Sequence, residues 1–196
     1  MRKVTAQFTM SLDGFIAGPN DEVDQIFRWY FSGDTDFQAS STDPVFKISH
    51  ASAELLRKEW GQLGAIVTGR RDFDVSKAWG GNSPLGVPIF IVTHTAPEEW
   101  VKEGIPFTFV TDGVERAIEK AKQVAGEKNV SIGGSTIVQQ CLKAELLDEI
   151  QIDLVPILIG SGIRLFDHLG PKPIELESTG VIEGSGVTHL RFRVIK

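Results

Sequence analysis

Between Val87 and Val92 the chain reads Val-Pro-Ile-Phe-Ile-Val, with no polar side chain. A strand with one face in water alternates apolar and polar residues, whereas a strand covered on both faces need not. This uninterrupted run therefore predicts a central strand of a parallel sheet carrying helices on both sides. That requirement sets the fold class as α/β. The run closes in Thr93-His94-Thr95, small polar groups at a strand's carboxyl end, where open α/β sheets bind their ligands.

The flanking segments fit the same plan. Ala65-Ile66-Val67 and Phe107 to Val110 read as further short strands. Asp112 and Glu115 have the spacing of a capping box, and Val114, Ala117, Ile118, Ala121 and Ala125 form one apolar helical face that Gly126 stops. Ser52 is placed to cap a helix running to about Trp60, with Leu55, Leu56 and Trp60 inward. Val4, Ala6, Phe8 and Met10 alternate with polar residues, as a strand with two different faces does. Ile150, Ile152 and Leu154 alternate with Gln151 and Asp153, and Leu190, Phe192 and Val194 with His189, Arg191 and Arg193. These read as a terminal antiparallel pair. Ile26 to Phe31 is the start of a helix or an aromatic lid, and Gly33 to Pro44 reads as loop. The expectation is one domain over residues 1–196: a three-layer α-β-α arrangement around a mixed, mostly parallel sheet that ends in an antiparallel C-terminal strand pair.

Two strand ends carry chemistry. Thr68 or Gly69 would cap a short helix with Arg70 and Arg71 in its first turn, where cations oppose the helix dipole unless an anion is bound. Two guanidinium groups suit a phosphate monoester, which they grip bidentately. The alternative is that Asp72 and Asp74 pair with them at the surface. In Asn129 to Gln140, a strand containing Val130 and Ile132 runs through Gly133-Gly134 to Ser135, a ready N-cap, and then to a helix with Val138, Cys141, Leu142 and Leu146 on one face. Two residues without Cβ before a helix start form a diphosphate cradle, or equally a tight turn with no ligand. Two Gly-punctuated apolar loops remain, Ser11 to Asn20 and Pro156 to Phe166. Asp13-Gly14 in the first is either a hairpin turn or part of a loop that closes over a ligand.

The net charge of −6 comes without any block of Lys and Arg, so the chain carries no footprint for nucleic acid or an anionic membrane. Cys141, the single cysteine, falls on the apolar helix face as a small buried hydrophobe and excludes an internal disulfide. No metal-ligand spacing is read. No N-terminal run has the form of a signal peptide and no apolar run is long enough to span a bilayer, so a cytoplasmic location is expected.

Ser11-Leu12-Asp13-Gly14-Phe15-Ile16-Ala17-Gly18, Thr68-Gly69-Arg70-Arg71, the strand ending Thr93-His94, Ile132-Gly133-Gly134-Ser135 with Gln139-Gln140, Leu147-Asp148-Glu149-Ile150 and Val155 to Gly162 follow one another in a recognisable order. The ordered set resembles the dihydrofolate-reductase-like fold. More closely, it resembles the reductase domain at the C-terminus of the bifunctional riboflavin-biosynthesis deaminase/reductase and its stand-alone relatives. The resemblance covers nearly the whole chain except the region around Arg28 to His50. It implies NADPH-dependent hydride transfer to a pyrimidine- or pteridine-like small molecule. The residues matching Gly69, Arg70 and Arg71 would hold phosphates, the 2′-phosphate among them. Those matching Thr93 and His94 would lie along the adenosine. Gly133, Gly134, Ser135, Thr136 and Ile137 would cradle the diphosphate, often across a cis Gly-Gly peptide.

On the same resemblance Ile16 and Ala17 would contact the nicotinamide. Asp13 would serve as catalytic residue, either substrate anchor or proton source. Pro156, Ile157, Gly160, Gly162, Leu165 and Phe166 would wall the substrate side. The fold tends to dimerise through its terminal strands, so a homodimer is expected. No residue matches the buried acid of the first helix of dihydrofolate reductases, since Asp21, Glu22 and Asp24 lie in a loop. Two other readings stand beside this one: a pteridine or dihydrofolate reductase proper, and a non-catalytic nucleotide-binding module.

Overall fold

The computed structural model describes residues 2–39, 44–102 and 104–196. The first part of the chain forms β1 (Val4–Ser11), β2 (Phe15–Ala17), a 3₁₀ turn at Ile26–Phe31, β3 (Thr35–Phe37), β4 (Phe46–Ile48) and α1 (His50–Gly61). The middle forms β5 (Leu63–Gly69), α2 (Arg70–Val75), β6 (Ile89–Val92), β7 (Phe107–Val110), α3 (Val114–Ala125), β8 (Asn129–Ile132) and α4 (Ser135–Lys143). The last part forms β9 (Glu149–Val155), β10 (Ile163–Arg164), β11 (Leu176–Gly184) and β12 (Val187–Val194). Hydrogen bonding orders the main sheet β11-β12-β9-β1-β8-β5-β6-β7. The pairs β1–β8, β8–β5, β5–β6 and β6–β7 are parallel. The pairs β9–β12 and β12–β11 are antiparallel. This is the mixed, mostly parallel sheet with an antiparallel C-terminal end that the sequence predicts.

The chain divides into two compact units. The first holds the N-terminal segment to Ala6 and Gln62–Leu147; the second holds Gln7–Gly61 and Asp148–Lys196. In the first, Ile89, Phe90 and Ile91 are all buried, as a strand covered on both faces requires. Helix α3 buries the five apolar residues of its stripe and stops at Gly126. Helix α4 buries Ile137, Val138, Cys141 and Leu142, and it ends before Leu146. An aromatic cluster centres on Phe73, whose ring meets Phe107 and Phe109 nearly edge-on, each at 5.3 Å.

In the second unit the core gathers Ile26, Trp29, Phe37, Ile48, Leu56 and Val187. Ile26 to Phe31 is thus a short 3₁₀ turn whose Ile26 and Trp29 are core residues. The expected loop at Gly33 to Pro44 contains β3, which pairs antiparallel with β4; residues 40–43 lie outside the described ones.

Three predicted helix starts differ from the structure. The amide of Ser52 donates to Ser49 Oγ at 3.2 Å, so Ser49 is the capping side chain of α1 and Ser52 is buried inside the helix. Gly113, with φ 97°, precedes α3 in place of a capping box, and Gly134, with φ 76°, precedes α4 in place of Ser135. In both cases a glycine in a backbone state closed to other residues turns the chain into the helix.

In β9 and β12 burial does not follow the alternation. Asp153, Gln151 and His189 are buried, whereas Leu190 and Phe192 are only half-buried. The reason is mutual satisfaction: Asp153 accepts from His189 Nδ1 at 2.6 Å, from Gln151 Nε2 at 3.2 Å and from Gln7 Nε2 at 3.1 Å. A polar group is tolerated inside once its partners are inside as well.

Candidate functional site

In the first unit, three successive parallel strands end at one cavity of ≈ 510 Å³. Gly69, Arg70 and Arg71 enter it where β5 passes into α2, Val92 to Thr95 follow β6, and Thr111 and Gly113 stand between β7 and α3. Thr136, Ile137 and Gln140 complete it from α4. The arrangement follows from the sequence, because the apolar runs of β5, β6 and β7 give way at their carboxyl ends to small polar or cationic groups. The volume is that of an ordinary small-molecule site.

The lining is cationic and rich in hydroxyls. Arg70 is held in place by two bonds from Nε to the Asp74 carboxylate, at 2.8 and 3.0 Å, and by one from a terminal nitrogen to the Thr95 carbonyl at 3.1 Å. Asp74 therefore pairs with Arg70 as the surface alternative had it. Asp72 instead accepts from Thr68 Oγ1 at 2.6 Å. Among the described residues no Asp or Glu lines the cavity, although the chain as a whole is acidic. The cavity adjoins the starts of α3 and α4, where unpaired N–H groups and the positive end of the helix dipole favour an anion.

Gly133 and Gly134 are not among the lining residues, nor is Ser135; they form the turn directly before it. A Cβ on Gly133 would sit 2.8 Å from Thr68 Oγ1, too close for any side chain, and its N–H donates to the Val67 carbonyl at 2.8 Å. The glycine pair thus lets the turn lie directly on the end of β5. Its peptide is trans, as are all those among the described residues, in place of the cis form that the resemblance suggested.

The second unit holds Asp13, Ile16, Ala17 and the 156–166 loop. Ser11 Oγ donates to Asp13 Oδ1 at 2.6 Å, and the amides of Ile159 and Gly160 donate to the same carboxylate at 3.1 and 2.7 Å. The Ser11 hydroxyl, helped by these two amides, brings the Asp13 pKa down to about 2. At neutral pH the group is a carboxylate that ties the two Gly-punctuated loops together, and at that pKa it has no proton to give. Strand β10 pairs with β2 so that Ile163 faces Ala17. A Cβ on Gly162 would strike the Ala17 carbonyl oxygen. Pro156, Gly160 and Gly162 are exposed, Ile157 and Phe166 are half-buried, and Leu165 is wholly interior.

Val92, Thr111 and Gly113 were not singled out from the sequence. Val92 closes the predicted strand itself, while Thr111 is the first residue beyond the next strand and Gly113 adjoins the predicted helix start, so the strand-end rule applied to β7 would have found the last two.

Polar and cationic strand ends converging on one crevice define an α/β ligand-binding domain. The sequence profile of the RibD C-terminal domain family matches residues 2–190, and the chain belongs to that family. The uncharacterized protein YwjB of Bacillus subtilis (strain 168) is 23% identical over 168 residues, covering 86% of this chain and 84% of its own length. A crystal structure of a candidate riboflavin biosynthesis protein from Shewanella sp. PV-4 superposes with a TM-score of 0.74 at 20% identity, covering 99% of both chains. The riboflavin biosynthesis reductase Rib7 of Saccharomyces cerevisiae superposes with a TM-score of 0.62 at 14% identity, covering 99% of this chain and 90% of that one. The fold is therefore that of the dihydrofolate-reductase-like reductase domains, and family and fold together support an oxidoreductase. No helix among the described residues is long and apolar enough to cross a membrane.

Proposed function

We propose that the cavity of the first unit holds the phosphorylated half of NADPH. On this reading the chain is an NADPH-dependent reductase of a pyrimidine- or pteridine-like heterocycle, nearest in kind to the 5-amino-6-(5-phosphoribosylamino)uracil reductase of riboflavin biosynthesis. One observation carries the reading: among the described residues, two arginines, four threonine hydroxyls and no carboxylate line a crevice in a chain of net charge −6. That donor set suits a phosphorylated ligand, and the cavity volume accommodates one.

In this assignment Arg70, fixed by Asp74 and the Thr95 carbonyl, offers its remaining N–H groups to a phosphate without first having to be ordered. Arg71 is the candidate for the 2′-phosphate. Thr93 and His94 lie along the adenosine, and Thr136 at the start of α4 faces the diphosphate. The bound coenzyme would supply the hydride. Asp13 acts as a positioning residue that holds the 156–162 loop in shape, and the proton comes from another donor. For a phosphoribosyl substrate the 156–166 loop supplies one cation, Arg164, which is exposed, donates to the Asp13 carbonyl and lies 4.6 Å from the centre of the Phe15 ring.

The test is coenzyme selectivity. Arg71→Ala should weaken NADPH binding by about tenfold or more while leaving NADH nearly unchanged, as loss of one charge-assisted phosphate contact does. Unchanged preference for NADPH would contradict the assignment of the 2′-phosphate.

A further inference from the structure

The strongest unexplained group beside the cavity is Asp72. It follows Arg71 on α2, yet it is half-buried and turned away from both arginines' cavity toward the end of β5, where Thr68 Oγ1 donates to its Oδ2 at 2.6 Å. A Cβ on Gly133 would come within 3.2 Å of that same carboxylate oxygen, and one on Gly134 within 3.9 Å of Asp72 Cβ. The carboxyl group therefore lies directly beneath the Gly133–Gly134 turn. Gly69, by the same measure, touches Ile137 and Thr136 of α4, so the floor under the turn adjoins the wall of the cavity. An acid stands behind an anion site that is otherwise built of cations and hydroxyls.

We infer that Asp72 couples coenzyme binding to proton uptake: the phosphates seated on α4 and Arg71 favour its neutral form, and its ionisation weakens their binding. This inference rests on the coenzyme reading above. A phosphate at the start of α4 and a carboxylate beneath the turn that precedes α4 are like charges that cannot both be held without cost, and the smaller adjustment is protonation of the half-buried carboxyl. Burial already raises the pKa of Asp72 above the ordinary carboxylate value, with the Thr68 hydroxyl opposing. By linkage, a group whose pKa rises further on binding strengthens affinity at low pH, and that gain is lost as pH climbs through the free and then the bound value. The elements packed on α2 bring few competing charges. Strands β5 and β6 and the Gly133–Gly134 turn carry none, the turn after α2 carries Lys77, the 3₁₀ turn Glu98–Trp100, whose Trp100 ring meets Phe73 at 5.6 Å, carries Glu98 and Glu99, and α2 itself carries Arg70, Arg71 and Asp74. His94 stands on the opposite side of the cavity wall, at the end of β6.

The experiment is a fluorescence titration of the full chain with NADPH across about pH 5 to pH 9, comparing wild type with Asp72→Asn and Thr68→Val. Contributions common to all three proteins, the ligand's own phosphate ionisation among them, cancel in the comparison. In wild type the affinity should fall by up to about tenfold per pH unit through the linked range, the limit for one proton. Asp72→Asn should show none of this excess slope and should bind more tightly than wild type at the alkaline end. Thr68→Val, which removes the donor that stabilises the ionised form, should move the linked range to higher pH. Superimposable profiles for wild type and Asp72→Asn, or an unshifted range in Thr68→Val, would overturn the coupling while leaving the coenzyme site standing. Absence of NADPH binding by wild type at every pH would overturn both.

Discussion

His189 Nδ1 lies 2.6 Å from Asp153 Oδ1, and the two side chains are shut away from solvent at 0% and 3% exposure. On the far side of the ring, Nε2 is 2.8 Å from Ser52 Oγ. The Ser-His-Asp order resembles a nucleophile relay, but Ser52 is buried within α1 and nothing can reach its hydroxyl. The chain of bonds ties α1 to β9 and β12 inside the second unit.

Removing one member should therefore be costly. Asp153→Ala or His189→Ala leaves a buried polar partner unsatisfied, and each should lower unfolding stability by about 3–5 kcal/mol in chemical denaturation. A loss under about 1 kcal/mol, the range of an exposed pair, would show that the network carries no weight.

Asp13 should behave as a loop tie. Its folded pKa of about 2 lies below its ordinary value of 3.8, so its contribution is complete above that ordinary value and disappears as pH falls through about 2. Asp13→Asn should leave the fold intact and speed amide exchange at Ile159 and Gly160, whose N–H groups it accepts. Unaltered exchange at those two amides would contradict the role.

Gly133→Ala sets a methyl against Thr68 Oγ1 at 2.8 Å and should destabilise the first unit by about 1–3 kcal/mol, the usual range for forced overpacking. The same substitution in a Thr68→Ala background should cost much less. If the two penalties simply add, the close approach to Thr68 is not what requires glycine.

β11 is the edge strand of the main sheet, and Leu176 and Val181 on it are 44% and 59% exposed. We propose that it pairs two copies of the chain, as exposed edges with apolar side chains do. Sedimentation should find a dimer that Val181→Lys dissociates. A wild-type monomer would remove this proposal.

Much of this was legible in the residues. The apolar run at 87–92 predicts a strand covered on both faces, and β6 is one; the stripe from Val114 to Ala125 predicts a helix, and α3 buries the same five side chains. Cys141 is the buried hydrophobe expected, its thiol pushed up to about 12 by burial and by the charge of Glu115. The helix starts were harder. Glycines at positive φ replaced the side-chain caps at α3 and α4, and backbone conformation is not written in residue spacing. The polar pair Asp153–His189 was hidden for a different reason. Alternation reports one residue at a time, and burial of a polar side chain depends on a partner 36 residues away.

The central claim is that the carboxyl ends of β5 and β6, with the start of α4, bind NADPH. Hydrogen–deuterium exchange of the full chain with and without NADPH tests it most directly. The account predicts slowed exchange confined in the first unit to Gly69–Arg71, Thr93–Thr95 and the first turn of α4. Unchanged exchange in those three segments at saturating NADPH would contradict it.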